Sequence, residues 1–153
     1  MPLSDYIASI RNRIGTDFLL VPGVTAVIQD ADRFLLARHT DSGLWGTVGG
    51  AVEPGESPDT AVVREVFEEL GVEATVVGIV GAYGGPELEY IYPNGDRVGY
   101  VSVAYRCAIP TADLTLDPVE LIQADWFTLS EALTLPRHPW IDRILVDAAA
   151  PVP

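Results

Sequence analysis

Residues 50–72 read GAVEPGESPDTAVVREVFEELGV, and the reading of this stretch decides the rest. Ser57-Pro58 opens a helix with a capping hydroxyl and a first-turn proline, and Gly71 closes it. Val62, Val63, Val66, Phe67 and Leu70 form an apolar stripe at helical spacing, which predicts a face turned to the core. Glu65, Glu68 and Glu69 stand at i, i+3 and i+4, so their carboxylates share a neighbouring face. Like charges so placed destabilise a helix by ~0.2–0.5 kcal/mol per pair, and the valines add a propensity cost. Arg64 can pair with Glu68, but one arginine cannot neutralise three acids. The cluster is therefore either a solvated acidic face or a carboxylate cage for Mg²⁺, a hard cation that takes oxygen ligands. Helical spacing alone leaves both readings open.

Outward from this segment, composition narrows the classes. The chain has 153 residues, 48% hydrophobic and 20% charged, which suits one folded domain over 1–153 rather than a disordered tract. Nine Lys+Arg against 22 Asp+Glu give a formal net charge of −13. That balance argues against nucleic-acid or anionic-membrane binding, both of which need a basic footprint. It would also repel a phosphate-bearing substrate unless divalent cations sat on some of the carboxylates. Cys107, the single cysteine, excludes an intramolecular disulfide and a Cys-rich zinc site, and its apolar surroundings make it a core thiol. No run approaches the roughly 20 apolar residues that span a bilayer, and the first residues lack the apolar centre of a signal peptide. A cytoplasmic protein is the expectation.

Ser4 caps a helix through Ile14, with Gly15 as its stop. Phe18 to Gln29 and Phe34 to Ala37 form a hairpin about Asp30-Ala31-Asp32. Gly43 to Gly55 is a Gly-rich loop, and Val72–Tyr83 is a strand. Tyr90–Tyr92 and Arg97–Ile109 flank Pro93-Asn94-Gly95-Asp96, an Asn-Gly hairpin signal. Ala124–Thr128 is a last strand, Ser130 caps a helical turn, and Trp140–Ala149 is a C-terminal helix. Strands with helices near the start, middle and end predict an α/β (α+β) domain, a mixed sheet covered on both faces.

Gly50, Glu56, Arg64, Glu65, Val66, Glu68, Glu69, Gly71 and Val72 together fill every fixed position of G-x5-E-x7-R-E-U-x-E-E-x-G-U, where U is aliphatic. Chance would supply this with a probability on the order of 10⁻⁷ at average residue usage. The segment resembles the Nudix box, and the order of strands around it, with Trp45 upstream, is similar to the MutT-like Nudix hydrolases over most of the chain. The resemblance implies an α/β/α sandwich and Mg²⁺-dependent (or Mn²⁺-dependent) hydrolysis of a phosphoanhydride in a nucleoside diphosphate linked to another group. It implies metal ligation by the Gly50 carbonyl and by Glu65, Glu68 and Glu69, with Glu56 and Arg64 as the supporting ion pair and Glu53 nearby. The chain departs from many relatives in having Thr47-Val48, not a proline, before Gly49-Gly50; a proline there would stiffen the loop.

Glu120, in a loop ahead of Trp126-Phe127, matches the place where relatives carry a base or extra metal ligand, and Arg38 resembles a phosphate contact. Trp45 is a packing residue or a base platform, and Tyr90, 18 residues past the box, resembles a substrate-side tyrosine of dinucleoside polyphosphate hydrolases. Leu88 stands where many ADP-ribose hydrolases have proline. His39 and His138 are too far apart in sequence to suggest a site. The expected partner is a small nucleotide, a nucleoside triphosphate or a nucleotide sugar such as ADP-ribose, and a homodimer is common in the family. Two rivals share the fold: a non-catalytic nucleotide-sensing module, which would lose box glutamates, and an isomerase, which would want a reactive cysteine.

Overall fold

A computed structural model of the chain describes residues 4–151. Helix α1 (Asp5–Ile14) begins at Ser4, whose hydroxyl accepts the Ile7 amide, and stops at Gly15. Strands β1 (Leu19–Asp30) and β2 (Arg33–His39) meet in a tight hairpin closed by Gln29–Phe34 and Asp30–Arg33 pairing. Beyond that turn they part. β1 pairs antiparallel with β4 (Val48–Ala51) on one side and parallel with β7 (Arg97–Ala108) on the other. β2 lies between β3 (Trp45–Gly46) and β8 (Leu121–Thr128). β5 (Thr75–Tyr83) and β6 (Glu89–Ile91) both pair antiparallel with β7. The result is one curled, mixed sheet of eight strands.

Its two faces are covered separately. Val24, Ala26 and Ile28 of β1 and Leu35 and Ala37 of β2 pack under α2 (Pro58–Leu70), through Ala61, Val62, Val66 and Leu70. Val27, Phe34 and Leu36 face the other way, onto Ile141, Ile144, Leu145 and Ala148 of α4 (Ile141–Ala149). A strand buried on both faces needs an unbroken apolar run, which is how Ala26-Val27-Ile28 read. Cys107 lies in the first of these cores, 1% exposed, where burial pushes its thiol up to about 11.

Three expectations are corrected. The Gly43–Gly55 segment carries β3 and β4, because its strands are specified by distant partners on β2 and β1 rather than by local β-branched content. The last strand starts at Leu121, not Ala124. The turn of helix after it, α3 (Leu129–Ala132), is capped by Thr128 in a reciprocal box with Glu131, not by Ser130.

Candidate active site

α2 carries the decisive side chains, and its buried side is not the stripe expected. Phe67 is 55% exposed, while Glu65 and Glu69 are 6% and 3% exposed. The helix thus turns two carboxylates inward beside Ala61, Val62, Val66 and Leu70. Glu68, one residue away, points to solvent.

Glu69 reaches β4, where its Oε1 accepts the Gly49 amide at 3.0 Å. Its Oε2 is buried with no partner among the described residues. Burial, only partly offset by the Gly49 amide, holds this carboxyl well above the usual carboxylate range. Glu65 packs directly on Gly50, and a Cβ at that position would overlap its carboxylate. Any larger residue there would push the Glu65 carboxylate from its place; the φ angle makes no such demand. Burial also raises the Glu65 carboxyl, against the lowering effect of Arg64.

Arg64 ties these parts together. It donates through Nε to Glu56 Oε1 at 2.8 Å and through Nη2 to Glu56 Oε2 at 3.0 Å. Nη1 meets Glu65 Oε1 at 2.8 Å and Glu68 Oε2 at 3.2 Å, and Nη2 also donates to the Ala51 carbonyl at 3.0 Å. The Arg64 contact pulls the Glu56 carboxyl below its usual range. Glu56 Oε2 in turn accepts the Glu53 amide at 3.1 Å, so Glu53 joins through its backbone. One guanidinium thereby fixes the loop, the helix and the end of β4 to each other, as a bidentate fork does well.

Glu120 is brought in by the far end of α2. Gly71 has φ +68° and caps the helix, and a Cβ there would come within 2.9 Å of Thr115. The following segment therefore packs flush on the helix end, where Thr115 and Asp117 donate to the Leu70 and Glu69 carbonyls at 3.0 and 2.9 Å. Glu120 is half-buried, and burial with the charges of Asp117, Asp41 and Glu68 raises its carboxyl.

Among the described residues no three acids are gathered into a ready cation cage, since Arg64 holds both Glu65 and Glu68 and Glu68 faces outward. The donors nonetheless suit a hard divalent cation: they are carboxylate oxygens, two of the groups are buried, and one oxygen lacks any partner.

A model of the NUDIX domain matches residues 19–148. The chain belongs to the NUDIX domain family. Its relatives include the NAD-capped RNA hydrolase NudC of Pseudomonas putida, 30% identical over 128 residues that cover 82% of this chain and 43% of that protein. A MutT-like protein of Streptomyces ambofaciens is 32% identical over 127 residues, 82% of this chain and 75% of that one. The crystal structure of a MutT NUDIX hydrolase from Burkholderia pseudomallei superposes with a TM-score of 0.69 at 25% identity, covering 84% of this chain and 98% of that chain. The chain spans less than half the length of the NudC relatives it matches. Nudix hydrolases generally depend on divalent metal ions. Among the described residues no helix is long and apolar enough to cross a membrane.

Around this Nudix centre the other candidates fall apart into two groups. Arg38 is exposed at the end of β2, its Nε donating to the Gly43 carbonyl at 2.9 Å. Trp45 is 8% exposed and packs edge-on against Phe127 at 5.0 Å between ring centres. Of the two readings of Trp45, packing residue or base platform, this burial supports the first. Tyr90 is half-buried on β6, against Tyr100 and Tyr92. Burial pushes its hydroxyl up to about 12.

Sequence reasoning missed the histidines. His39 and His138 lie 6.0 Å apart, because Gly46 leaves room for both rings between β2 and the segment ahead of α4. His39 Nε2 is 3.1 Å from the Thr47 carbonyl, and His138 Nε2 is 3.1 Å from Ser42 Oγ. Burial lowers both imidazoles, which keeps them neutral at pH 7. Spacing in the sequence held no sign of this pair.

Proposed function

We propose that this chain hydrolyses the phosphoanhydride of a nucleoside diphosphate derivative, a nucleoside triphosphate or a nucleotide sugar, in an Mg²⁺-dependent reaction on a single domain. The observation that carries the reading is the burial of Glu65 and Glu69 against Gly49-Gly50, with one Glu69 oxygen left without a partner among the described residues. Burying a carboxylate is expensive, most of all where one of its oxygens goes unbonded, and a helix that buries two of them has a use for them.

Glu65, Glu69, Glu68 and the Gly50 carbonyl are the groups that would hold the cation. When bound there, it supplies charge neutralisation at the phosphate oxygens and a lower pKa for the attacking water. Glu120 is the residue suited to take the proton, because its raised carboxyl binds one more readily than an exposed glutamate does. Arg64 and Glu56 orient the helix against the loop, a positioning role. Arg38, with only Nε engaged, can turn its outer nitrogens to a phosphate. Tyr90 faces the nucleoside side.

The test is turnover of a panel with and without Mg²⁺: canonical and oxidised nucleoside triphosphates, ADP-ribose, sugar nucleotides and diadenosine polyphosphates. The expected result is cleavage of one class, abolished by chelation. Nucleotide binding with no turnover of any class would favour the sensing module instead.

A further inference from the structure

Six aromatic rings from four separate segments form two groups, His39, His138 and Trp140 in one and Tyr90, Tyr92 and Tyr100 in the other, with Trp140 beside Tyr90. His39 and His138 are 6.0 Å apart, His138 and Trp140 6.2 Å, Tyr90 and Tyr100 6.1 Å, and Tyr90 and Tyr92 6.5 Å. None is buried as a core ring is: Phe34 is 1% exposed, whereas Tyr92 is 39% exposed and the other five are half-buried. Each of the six residues is left partly exposed.

The rings are tied to the reaction centre by short links. His39 contacts the carbonyl of Thr47, two residues before Gly49. Thr40 Oγ1 donates to the Val119 carbonyl at 2.6 Å, next to Glu120, and Ser42 holds His138. At the other end Trp140 walls a cavity of about 190 Å³ shared with Tyr83, Gly84, Glu87, Leu88 and Arg143.

Charge defines what fits. Asp41 lies close enough to bear on Tyr90, His138 and Glu120 together, and Glu87 faces the cavity. The one cation lining the cavity, Arg143, sits over the Tyr83 ring at 5.9 Å and reaches Asp147 at 3.9 Å. Negative ring faces and carboxylates attract an electron-poor or cationic plane and repel a phosphate.

We propose that His138, Trp140 and Tyr90 receive the planar heterocycle of the substrate, and that this face selects a neutral or cationic ring over any further phosphorylated group. The inference rests on the diphosphate-hydrolase reading and names the nucleoside side of that substrate.

The experiment is a tryptophan-fluorescence titration in chelator, where no turnover is needed, with AMP, nicotinamide mononucleotide, adenosine 3′,5′-bisphosphate and ribose 5-phosphate. Base stacking of the usual strength predicts that AMP and nicotinamide mononucleotide bind about 10-fold tighter than ribose 5-phosphate. The bisphosphate binds more weakly than AMP. Trp140→Phe removes most of the quench, while Trp126→Phe, in the distant groove with Gln29 and Arg33, keeps it. With a cleaved substrate, His138→Ala raises KM by about 10-fold and leaves kcat within about twofold. The proposal is overturned if ribose 5-phosphate binds as well as AMP, if the bisphosphate binds best, or if Trp140→Phe keeps the quench. Since binding is read without catalysis, ring selection without turnover would sink only the hydrolase reading, and turnover without ring selection only this one.

Discussion

The two helices that cover the sheet bury their inner sides in opposite ways. α4 turns Ile141, Ile144, Leu145 and Ala148 inward, all apolar and at most 2% exposed. α2 turns in Ala61, Val62, Val66 and Leu70 to the same depth, but sets Glu65 and Glu69 among them. Both helices pack on strands of one sheet, so the difference does not come from the architecture. α4 is explained by the hydrophobic effect alone. α2 gives up some of that stabilisation to hold carboxylates where β4 presents Gly49 and Gly50, and Arg64 offsets only part of the cost. Such a departure from the simplest packing is what a functional face on α2 would require.

Substitutions on the two helices should therefore separate activity from stability. The largest effect is expected from Glu69→Gln, which should lower kcat by roughly 10³-fold, the scale of several kcal/mol of lost charge stabilisation. In chelator the same variant should melt no lower than the parent, as read by calorimetry. Leu145→Ala on α4 should do the reverse: a loss of about 2–5 kcal/mol in denaturant unfolding, with kcat per folded molecule unchanged. A Leu145→Ala protein that was fully stable but inactive would break the contrast.

Arg64 sharpens it from the side of support. Arg64→Lys keeps the charge but not the fork, and should lower kcat about 10–100-fold while the protein stays folded. Glu56→Gln should fall in the same range, and the double variant should cost little more than either, since both remove one contact.

A smaller effect concerns pH. Folding raises the Glu65 and Glu69 carboxyls above their ordinary range, so between that range and the raised values the folded chain binds more protons than the unfolded one. Their contribution to stability is complete at low pH and is lost as pH rises through the folded values. The chelated protein should show a contribution that falls as pH rises above the ordinary carboxylate range, visible as the difference in melting temperature between parent and Glu69→Gln. The histidines, lowered by burial, act in the opposite direction but equally in both proteins.

How much of this could be read from the sequence differs between the same two regions. The limits of α2 and the identity of its acids follow from local signals: a first-turn proline, a closing glycine and a fixed spacing. That Phe67 would be outside and two glutamates inside does not follow, because a helical wheel ranks residues by polarity while the fold ranks them by what β4 offers. β3 and β4 were hidden for a related reason. Their glycines lack strand propensity, and only the backbones of β1 and β2 make them strands. Glu120 is singled out by its place after the box, and the chain after α2 carries it to the end of that helix, whereas His39 and His138, 99 positions apart in the chain, meet only through a Gly46 contact.

If the inward carboxylates of α2 serve to hold a cation, a calorimetric melt of parent and Glu69→Gln at about pH 8, each with and without Mg²⁺, will show it. The parent should gain melting temperature on adding Mg²⁺, and Glu69→Gln should start at or above the metal-free parent and gain little. A variant that melts well below the parent in chelator yet responds fully to Mg²⁺ would contradict the claim and make Glu69 a structural residue.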